Sequence, residues 1–324
     1  MKGWEKFMAI QVGDVVAIMT PQPAGGFFML AQPVQDLWRV VEVSPPVAKV
    51  KGVTNRCTIL CPINQLAELP SEQITQIMHE SDQRNIEYFN WRASLQNPNR
   101  FYREEIPSNE YFQSHGSILH IDADQRFMEK CKKKYEELGV KANAYYLDTP
   151  EMADNIESLL KQHNPDILVI TGHDGLLNQE NPMSLESYDS SKHYYNATKK
   201  AREFDRDKNS LIIFCGACMS FFEALIQAGA NFASSPKRVN IQMFDPVFIA
   251  EKISKTPFLT KVNLAETIGS TISGFDGIGG MESIGKSKLT IPKINDVSIP
   301  NRNHPVTSPQ SVSYKYNPRS SHYF

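Results

Sequence analysis

A histidine and a cysteine each lie just beyond a short apolar run of the sequence. His173 follows the run 166–170, and Cys218 follows the run 211–214. A thiol beside an imidazole is the minimum equipment for a cysteine nucleophile, because the base takes the proton and the thiolate attacks. Considered alone, each residue is typical of a turn that has no catalytic role. Their matching places after two apolar runs favour a catalytic pair.

The elements around these two residues predict that they share one edge of a sheet. Short runs rich in Ile, Val and Leu that end in glycine turns are typical of a parallel sheet buried on both faces, and sites collect at the carboxyl ends of such strands. Residues 219–229 predict a helix that ends at a glycine, so Cys218 is expected at or near a helix N-terminus, where a thiol pKa falls. Cys215 ends its apolar run, and we interpret it as a small core residue.

Three longer segments of the chain resemble a protease family. Residues 165–174, 216–218 and 228–241 are similar to the YabG family of sporulation-specific proteases of spore-forming bacteria, and the likeness extends from 12–14 to about Pro292. More distantly, the order of a histidine strand before an Ala-Cys strand is similar to the caspase and legumain clan of cysteine peptidases. That clan has glycine directly after the histidine, whereas here an aspartate intervenes.

The resemblance implies an activity and a cellular setting. It implies a cysteine endopeptidase that cleaves after Arg or Lys in spore coat and cortex-associated proteins, through an acyl-enzyme and without a cofactor. Cys218 is the implied nucleophile and His173 the acid and base, with backbone amides of Ala217, Asp174 and Gly175 at the oxyanion. The expected setting is the mother-cell cytoplasm of a sporulating bacterium, or the spore coat, and the expected partners are protein substrates.

Recognition of an Arg or Lys side chain needs a buried carboxylate. Asp174 and Asp245 are the candidates, although each is more often a turn residue or a helix cap. Ser234 and Ser235 follow the nucleophile at the end of the next predicted strand, and they are candidates for the same pocket. A polar strand end is the alternative interpretation of the two serines.

Composition and charge narrow the class of protein. The chain has 324 residues, of which 41% are hydrophobic and 22% charged, and its formal charge of -2 favours neither nucleic acid nor an anionic membrane as a partner. No apolar stretch approaches the roughly 20 residues of a membrane span, and the first residues lack the apolar region of a signal peptide, so a cytoplasmic protein is expected. Five scattered cysteines without histidines at finger spacing favour neither a disulfide framework nor a metal site. The oligomeric state stays open.

The predicted fold class is α/β, with a doubly wound and mostly parallel sheet of caspase-like type preceded by a small SH3-like β-barrel. The predicted divisions are a barrel at 1–70, a helical linker and loop at 71–115, an α/β peptidase domain at 116–292 and a disordered tail at 293–324. An arginine in the loop-like stretch 96–107 is a candidate for self-cleavage, and an ordinary linker is the alternative. The glycine-rich residues 274–281 predict a flexible loop.

Two rival functions are compatible with an α/β fold. Asp122, Asp124, Asp174 and Lys237 all follow predicted strands, which is loosely similar to the acidic cluster and lysine of a phosphoacceptor receiver. The first two acidic residues could equally cap the next helix. A receiver also needs its acceptor aspartate where this chain has His173. The other rival is an inactive scaffold that binds coat proteins through its amino-terminal barrel.

Overall fold

The computed structural model describes residues 10–19, 36–95 and 112–290. The predicted self-cleavage loop and the predicted disordered tail lie outside these residues. Within them, no helix is both long enough and apolar enough to cross a bilayer. The division into a barrel, a linker, a peptidase domain and a tail stays a prediction.

The described residues build three sheets from strands β1 to β13. The strands are β1 Val15–Ile18, β2 Trp38–Ser44, β3 Val47–Gly52, β4 Thr58–Pro62, β5 Leu66–Glu68, β6 Phe112–Ser114, β7 Ile118–Asp122, β8 Ala142–Tyr146, β9 Ile167–Thr171, β10 Ile212–Cys215, β11 Phe232–Ser234, β12 Ile278–Gly280 and β13 Lys288–Thr290. The first five strands form one sheet, β7 to β12 form a second, and β6 pairs with β13 in a two-stranded ribbon.

The helices lie mostly between strands of the second sheet. They are α1 Ser71–Leu95, α2 Gln125–Glu137, α3 Met152–His163, α4 Ser191–Phe204, α5 Phe222–Ala228, α6 Asp245–Lys255, α7 Leu264–Gly269 and α8 Gly274–Gly277. Local sequence explains several of their ends: Asp124 caps α2 by accepting the Phe127 N–H at 3.0 Å, and Gly229 ends α5 with a φ of 113°.

The amino-terminal sheet is antiparallel, in the order β4-β3-β2-β1-β5. Strand β3 was not predicted from the sequence, although it alternates the buried Ala48 and Val50 with the half-buried Lys49 and Lys51. In the described residues the two edge strands β4 and β5 do not pair with each other, so the SH3-like barrel form remains a prediction.

The second sheet has the order β12-β11-β10-β9-β7-β8 and is parallel except for β12. Every residue of β7 and β9 is buried, because helices cover both faces of the sheet. Side chains from α2 and α6 pack on one face, and side chains from α3, α4 and α5 pack on the other. The prediction of a mixed α/β fold with a mostly parallel sheet is confirmed.

Helix α1 joins the two sheets. Its residue Ile77 packs with Leu37 beside the amino-terminal sheet, whereas Tyr88 packs edge-on against Phe248 of α6, with ring centroids 5.6 Å apart. The long helix therefore fixes the amino-terminal sheet against the face of the parallel sheet.

The structure corrects two sequence predictions. The helix after Cys218 begins only at Phe222, so the thiol lies outside the first helical turn, where the dipole acts. The glycine-rich residues 274–281 are not a flexible loop, because most of them form α8 and the edge strand β12. A side chain at Gly280 would collide with the Phe232 ring, so glycine is what allows β12 to approach β11.

Candidate active site

Cys218 follows β10 in a tight turn and is fully buried. Gly216, two residues before Cys218, and Met219, directly after it, adopt the left-handed backbone conformation, with φ values of 113° and 60°. The sulfur accepts the backbone N–H of Ile241 at 3.3 Å. In the described part of the chain the backbone N–H of Cys218 itself has no acceptor.

The Cys218 thiol has an unusual electrostatic environment. Burial raises its pKa, but hydrogen bonds from the Cys57 thiol and from the backbone of Ile241 and Arg56, together with the Arg56 charge, leave the pKa below its ordinary value. The same contact raises the pKa of Cys57 well above its usual range. Of the two thiols of this sulfur pair, Cys218 is the one that loses its proton more easily.

Cys215 is also fully buried, but its surroundings differ. Burial raises its pKa to about 12, and its thiol lies 3.8 Å from the carbonyl of Tyr194. Such a thiol stays protonated near neutral pH. Its position in the core between the sheet and α4 matches the interpretation of Cys215 as a packing residue.

His173 follows β9 and is 4% exposed. Its Nε2 lies 2.9 Å from the carbonyl oxygen of Gly52, and its ring stacks on Phe127 with centroids 5.5 Å apart. Burial lowers the pKa of His173, and Asp124, whose Oδ2 lies 3.9 Å from Nδ1, opposes that shift only in part. A neutral imidazole that donates from Nε2 to a carbonyl keeps an unprotonated Nδ1.

Residues 52–58, which we call the covering segment, lie over both strand ends. The backbone N–H of Asp174 donates to the Arg56 carbonyl at 3.2 Å, and the N–H of Thr58 donates to the Asp174 carbonyl at 2.8 Å. A side chain at Gly175 would overlap the Thr58 carbonyl, so this approach requires glycine. Cys218 and His173 each contact the covering segment, and among the described residues no hydrogen bond joins the two directly.

Arg56 is the residue of this site that sequence reasoning missed. Its fully buried guanidinium lies 2.8 Å from Asp122 Oδ2 and 4.7 Å above the Phe127 ring. Burial raises the pKa of Asp122, but the charges and hydrogen bonds of Arg56 and His120 together outweigh burial and hold that pKa well below the usual range. An arginine in a polar loop carries no local signal of such burial, so nothing in the sequence distinguishes it.

His120, Asp122 and Cys131 place their potential ligand atoms within 4.8 Å of one another. The Arg56 guanidinium already contacts two of these three groups, since its Nη2 lies 3.6 Å from the Cys131 sulfur. A metal ion there would be repelled by a fixed positive charge. The cluster is a guanidinium site.

Asp174 holds three loops together. Its Oδ1 accepts the backbone N–H groups of Gly175 and Ser190, each at 2.8 Å, and its Oδ2 accepts the hydroxyls of Ser191 at 2.5 Å and Ser220 at 2.7 Å. Burial raises the pKa of Asp174 to about 6, even though these hydrogen bonds oppose the shift. All acceptor sites of this carboxylate are thus engaged within the protein.

The other residues that the sequence suggested for the substrate pocket also form hydrogen bonds within the protein. Asp245 accepts the backbone N–H groups of Ile272 at 3.0 Å and Ser273 at 3.1 Å, and burial raises its pKa to about 6. The hydroxyl of Ser234 donates to the Ala217 carbonyl at 2.8 Å. Ser235 accepts the backbone N–H of Met219 at 3.0 Å. The two serines brace the turn that carries Cys218.

A cavity of about 270 Å³ lies beside the covering segment. Two of its lining residues reach the sulfur pair, because Asn55 accepts the Cys57 N–H at 2.9 Å and the Ile241 N–H donates to Cys218. The Asn55 Nδ2 is buried, and the described residues offer it no hydrogen-bond acceptor. The cavity is lined by Asp36, Thr54, Asn55, Ser81, Arg84, Asn85, Ile241, Gln242, Met243 and Ile272.

Comparison with known proteins identifies relatives of this chain. The sporulation-specific protease YabG of Bacillus subtilis (strain 168) is 43% identical over 183 residues, which cover 56% of this chain and 63% of the relative. The chain therefore matches less than two thirds of that relative. No solved structure matches the chain. The family described as YabG peptidase U57 matches residues 34–292, which is most of the chain, and the protein belongs to that family.

Proposed function

We propose that the chain is a sporulation-associated cysteine endopeptidase with Cys218 as nucleophile and His173 as acid and base. The main supporting observation is geometric: Cys218 and His173 follow the neighbouring strands β10 and β9 at the same edge of the sheet. The direction of the pKa agrees, because of the five cysteines Cys218 is the one whose pKa lies below its ordinary value. The family supports the same activity, and so does the curated relative, which is named a sporulation-specific protease.

The proposed reaction proceeds through an acyl-enzyme. As the Cys218 sulfur attacks the scissile carbonyl carbon, its proton passes to His173, which gives that proton to the leaving amine as the peptide bond breaks. Water then attacks the thioester carbon while His173 takes its proton, and that proton returns to the Cys218 sulfur as the thioester bond breaks. Because the Gly52 carbonyl holds Nε2, Nδ1 is the atom that carries the proton in both steps.

Two backbone amides support stabilisation of the oxyanion. The Asp174 N–H already donates to a peptide carbonyl, that of Arg56, and in the described residues the Cys218 N–H has no acceptor of its own. Both amides adjoin the proposed catalytic side chains. Donors of this kind are worth about 3 kcal/mol each in the transition state. Gly175 and Ala217 are less suited, because their N–H groups donate to Asp174 Oδ1 and Ser220 Oγ.

The proposal also includes the type of peptidase fold, the substrates and the location in the cell. The strand order, with an antiparallel edge strand next to the fifth parallel strand, is compatible with a caspase-like peptidase fold. Spore coat and cortex-associated proteins are the proposed substrates, cleaved after Arg or Lys, and the mother cell is the proposed location. Self-processing is a further property that this reaction allows.

The receiver alternative is not favoured by the charges. Asp122, which would belong to the acidic cluster of a receiver, is neutralised by its pairing with the buried Arg56. Lys237 is exposed and pairs with Asp276 at 2.5 Å. A scaffold without activity would be distinguished from the peptidase by the following experiment.

The test compares wild-type protein with Cys218→Ala and Cys215→Ala on a peptide that contains Arg and on a coat-protein mixture, with and without iodoacetamide. The peptidase proposal expects cleavage by the wild type and by Cys215→Ala, and none by Cys218→Ala, by His173→Ala or after alkylation. Normal cleavage by Cys218→Ala would overturn the proposed nucleophile. If no form cleaves anything, the scaffold becomes the better account.

A further inference from the structure

Among the described residues, Arg56 is the largest side chain that is fully buried. Its guanidinium occupies a pocket at the carboxyl end of β7, formed by the Asp122 carboxylate at 2.8 Å, the Gly172 carbonyl at 3.4 Å, the Cys131 sulfur and the Phe127 ring. The pocket combines a carboxylate, a carbonyl and an aromatic face. These are the groups that recognise a guanidinium.

Stability of the fold does not by itself explain why this pocket holds a buried ion pair. A buried ion pair usually contributes no more than well-packed apolar residues of the same volume, and the Arg56 Nε finds no hydrogen-bond partner among the described residues. The ion pair nevertheless lies at the strand edge that carries His173. A binding role for the pocket explains both observations.

The backbone of Arg56 lies as a substrate backbone would lie in the proposed reaction. Its carbonyl accepts the N–H of Asp174 at 3.2 Å, which is one of the proposed oxyanion donors. Its backbone also stabilises the Cys218 thiolate, and the next residue, Cys57, contacts the Cys218 sulfur. Arg56 therefore lies where a bound substrate would place the residue on the amino side of the scissile bond.

We propose that the pocket around Asp122 is the site that receives the arginine side chain of a substrate, and that Arg56 fills it as an internal ligand until a substrate displaces it. This assignment rests on the proposed peptidase function and names the carboxylate that selects the basic residue. Asp122 also accepts a backbone N–H and a hydroxyl, but a guanidinium lies against it as well. The donors that the structure gives Asp174 and Asp245 are backbone N–H and hydroxyl groups alone. The planar contacts with Asp122 and Phe127 favour arginine over lysine.

The first measurement compares wild type with Arg56→Ala and with Arg92→Ala, a matched control. Arg92 is also a buried arginine, paired with Glu251 at 2.8 Å and stacked over Phe248, but it lies away from the strand ends of His173 and Cys218. Removing the internal ligand should raise kcat/KM on a peptide with arginine before the scissile bond at least about tenfold. Arg92→Ala should not raise it.

The second measurement uses agmatine, which carries a guanidinium on a short alkyl chain. Calorimetry should detect binding to Arg56→Ala at least about tenfold tighter than to wild type or Arg92→Ala, and agmatine should inhibit cleavage competitively. Adding Asp122→Asn to Arg56→Ala should abolish agmatine binding and lower kcat/KM for the arginine peptide roughly 10- to 100-fold relative to Arg56→Ala alone.

A conservative variant covers the case in which Arg56→Ala fails to fold. Arg56→Lys keeps a cation beside Asp122 but lacks the Nη2 contact with the Cys131 sulfur and the flat guanidinium face over Phe127. The lysine should therefore be displaced more easily, and the variant should cleave the arginine peptide faster than wild type. Circular dichroism identifies which variants are folded. A wild-type rate for folded Arg56→Lys or Arg56→Ala overturns the internal-ligand assignment.

The remaining outcomes distinguish failure of the pocket assignment from failure of the proposed peptidase function. If Arg56→Ala with Asp122→Asn still prefers arginine, or if agmatine binds Arg56→Ala without inhibiting it, the pocket assignment is wrong and the peptidase stands. If no form cleaves any peptide, the peptidase function fails. Agmatine binding that depends on Asp122 would then still support a guanidinium site, and absence of binding would overturn it. A cut after Arg56 that Cys218→Ala abolishes supports the assignment.

Discussion

The imidazole of His173 is held by a carbonyl from the amino-terminal sheet. Its Nε2 lies 2.9 Å from the oxygen of Gly52, a residue 121 positions earlier in the chain. The amino-terminal sheet is therefore part of the candidate active site, since it sets which nitrogen of the histidine carries the proton.

Gly52→Ala should reduce cleavage without removing a catalytic side chain. A Cβ at this position would overlap the side chain and carbonyl of Asn55, so the covering segment must shift and carry the Gly52 carbonyl away from His173. We expect kcat/KM to fall by a factor on the order of 100, as small misplacements of catalytic groups do. Gly269→Ala is the control, because a Cβ there meets no atom within 4 Å. Equal rates for the two variants would contradict the role of Gly52.

Cys57→Ala should make Cys218 less reactive. The Cys57 thiol is the largest favourable contribution to the Cys218 thiolate, so its removal should raise the Cys218 pKa and slow labelling by iodoacetamide at pH 7 by a factor on the order of ten. Cys57→Ser keeps a donor and should lose less. Mass spectrometry of the labelled peptide across a pH series measures this, with Cys215 as the unreactive reference. Faster labelling of the alanine variant would contradict the hydrogen-bond account.

Asp174 should make the protein less stable as the pH rises from 4 to 6. Burial raises its pKa to about 6, so between these pH values the folded state binds more protons than the unfolded state and unfolding becomes easier with rising pH. Asp174→Asn lacks this titration. Relative to wild type, its free energy of unfolding should therefore improve by roughly 2 kcal/mol between pH 4 and pH 7.

Urea denaturation at several pH values measures this difference. The comparison within one variant across pH cancels the cost of replacing the carboxylate, which the four hydrogen bonds to Asp174 make substantial. Asp245 and Asp122 titrate in both proteins and cancel as well. A stability difference that does not change with pH would contradict the raised pKa.

Gly280→Ala should destabilise the edge of the parallel sheet. A Cβ there would meet the Phe232 ring at 2.5 Å and the Asn231 carbonyl at 2.7 Å, so β12 must separate from β11. We expect a loss of roughly 1–3 kcal/mol in the free energy of unfolding, as for other overpacked sites. Urea denaturation beside Gly269→Ala provides the measurement. A neutral effect would mean that residues 278–280 behave as a loop after all.

Much of the parallel sheet follows from local sequence. The runs at 118–122 and 167–171 are apolar throughout, and burial on both faces is what such runs require. Because parallel strands place their carboxyl ends at one edge, the sequence also indicated that His173 and Cys218 belong to the same edge of the sheet.

The tertiary structure alone decided what surrounds those two residues. Gly52 ends β3, and Arg56 and Cys57 lie in the connection from β3 to β4. No periodicity links these residues of another sheet to strand ends more than a hundred positions away. The edge strand at 278–280 was equally hidden, since glycine is rare in strands and only the Phe232 ring explains it. Local sequence determines which residues form strands and helices because their burial pattern is local. The partner of a buried charge such as Asp122 depends on long-range packing, so only the folded chain identifies Arg56.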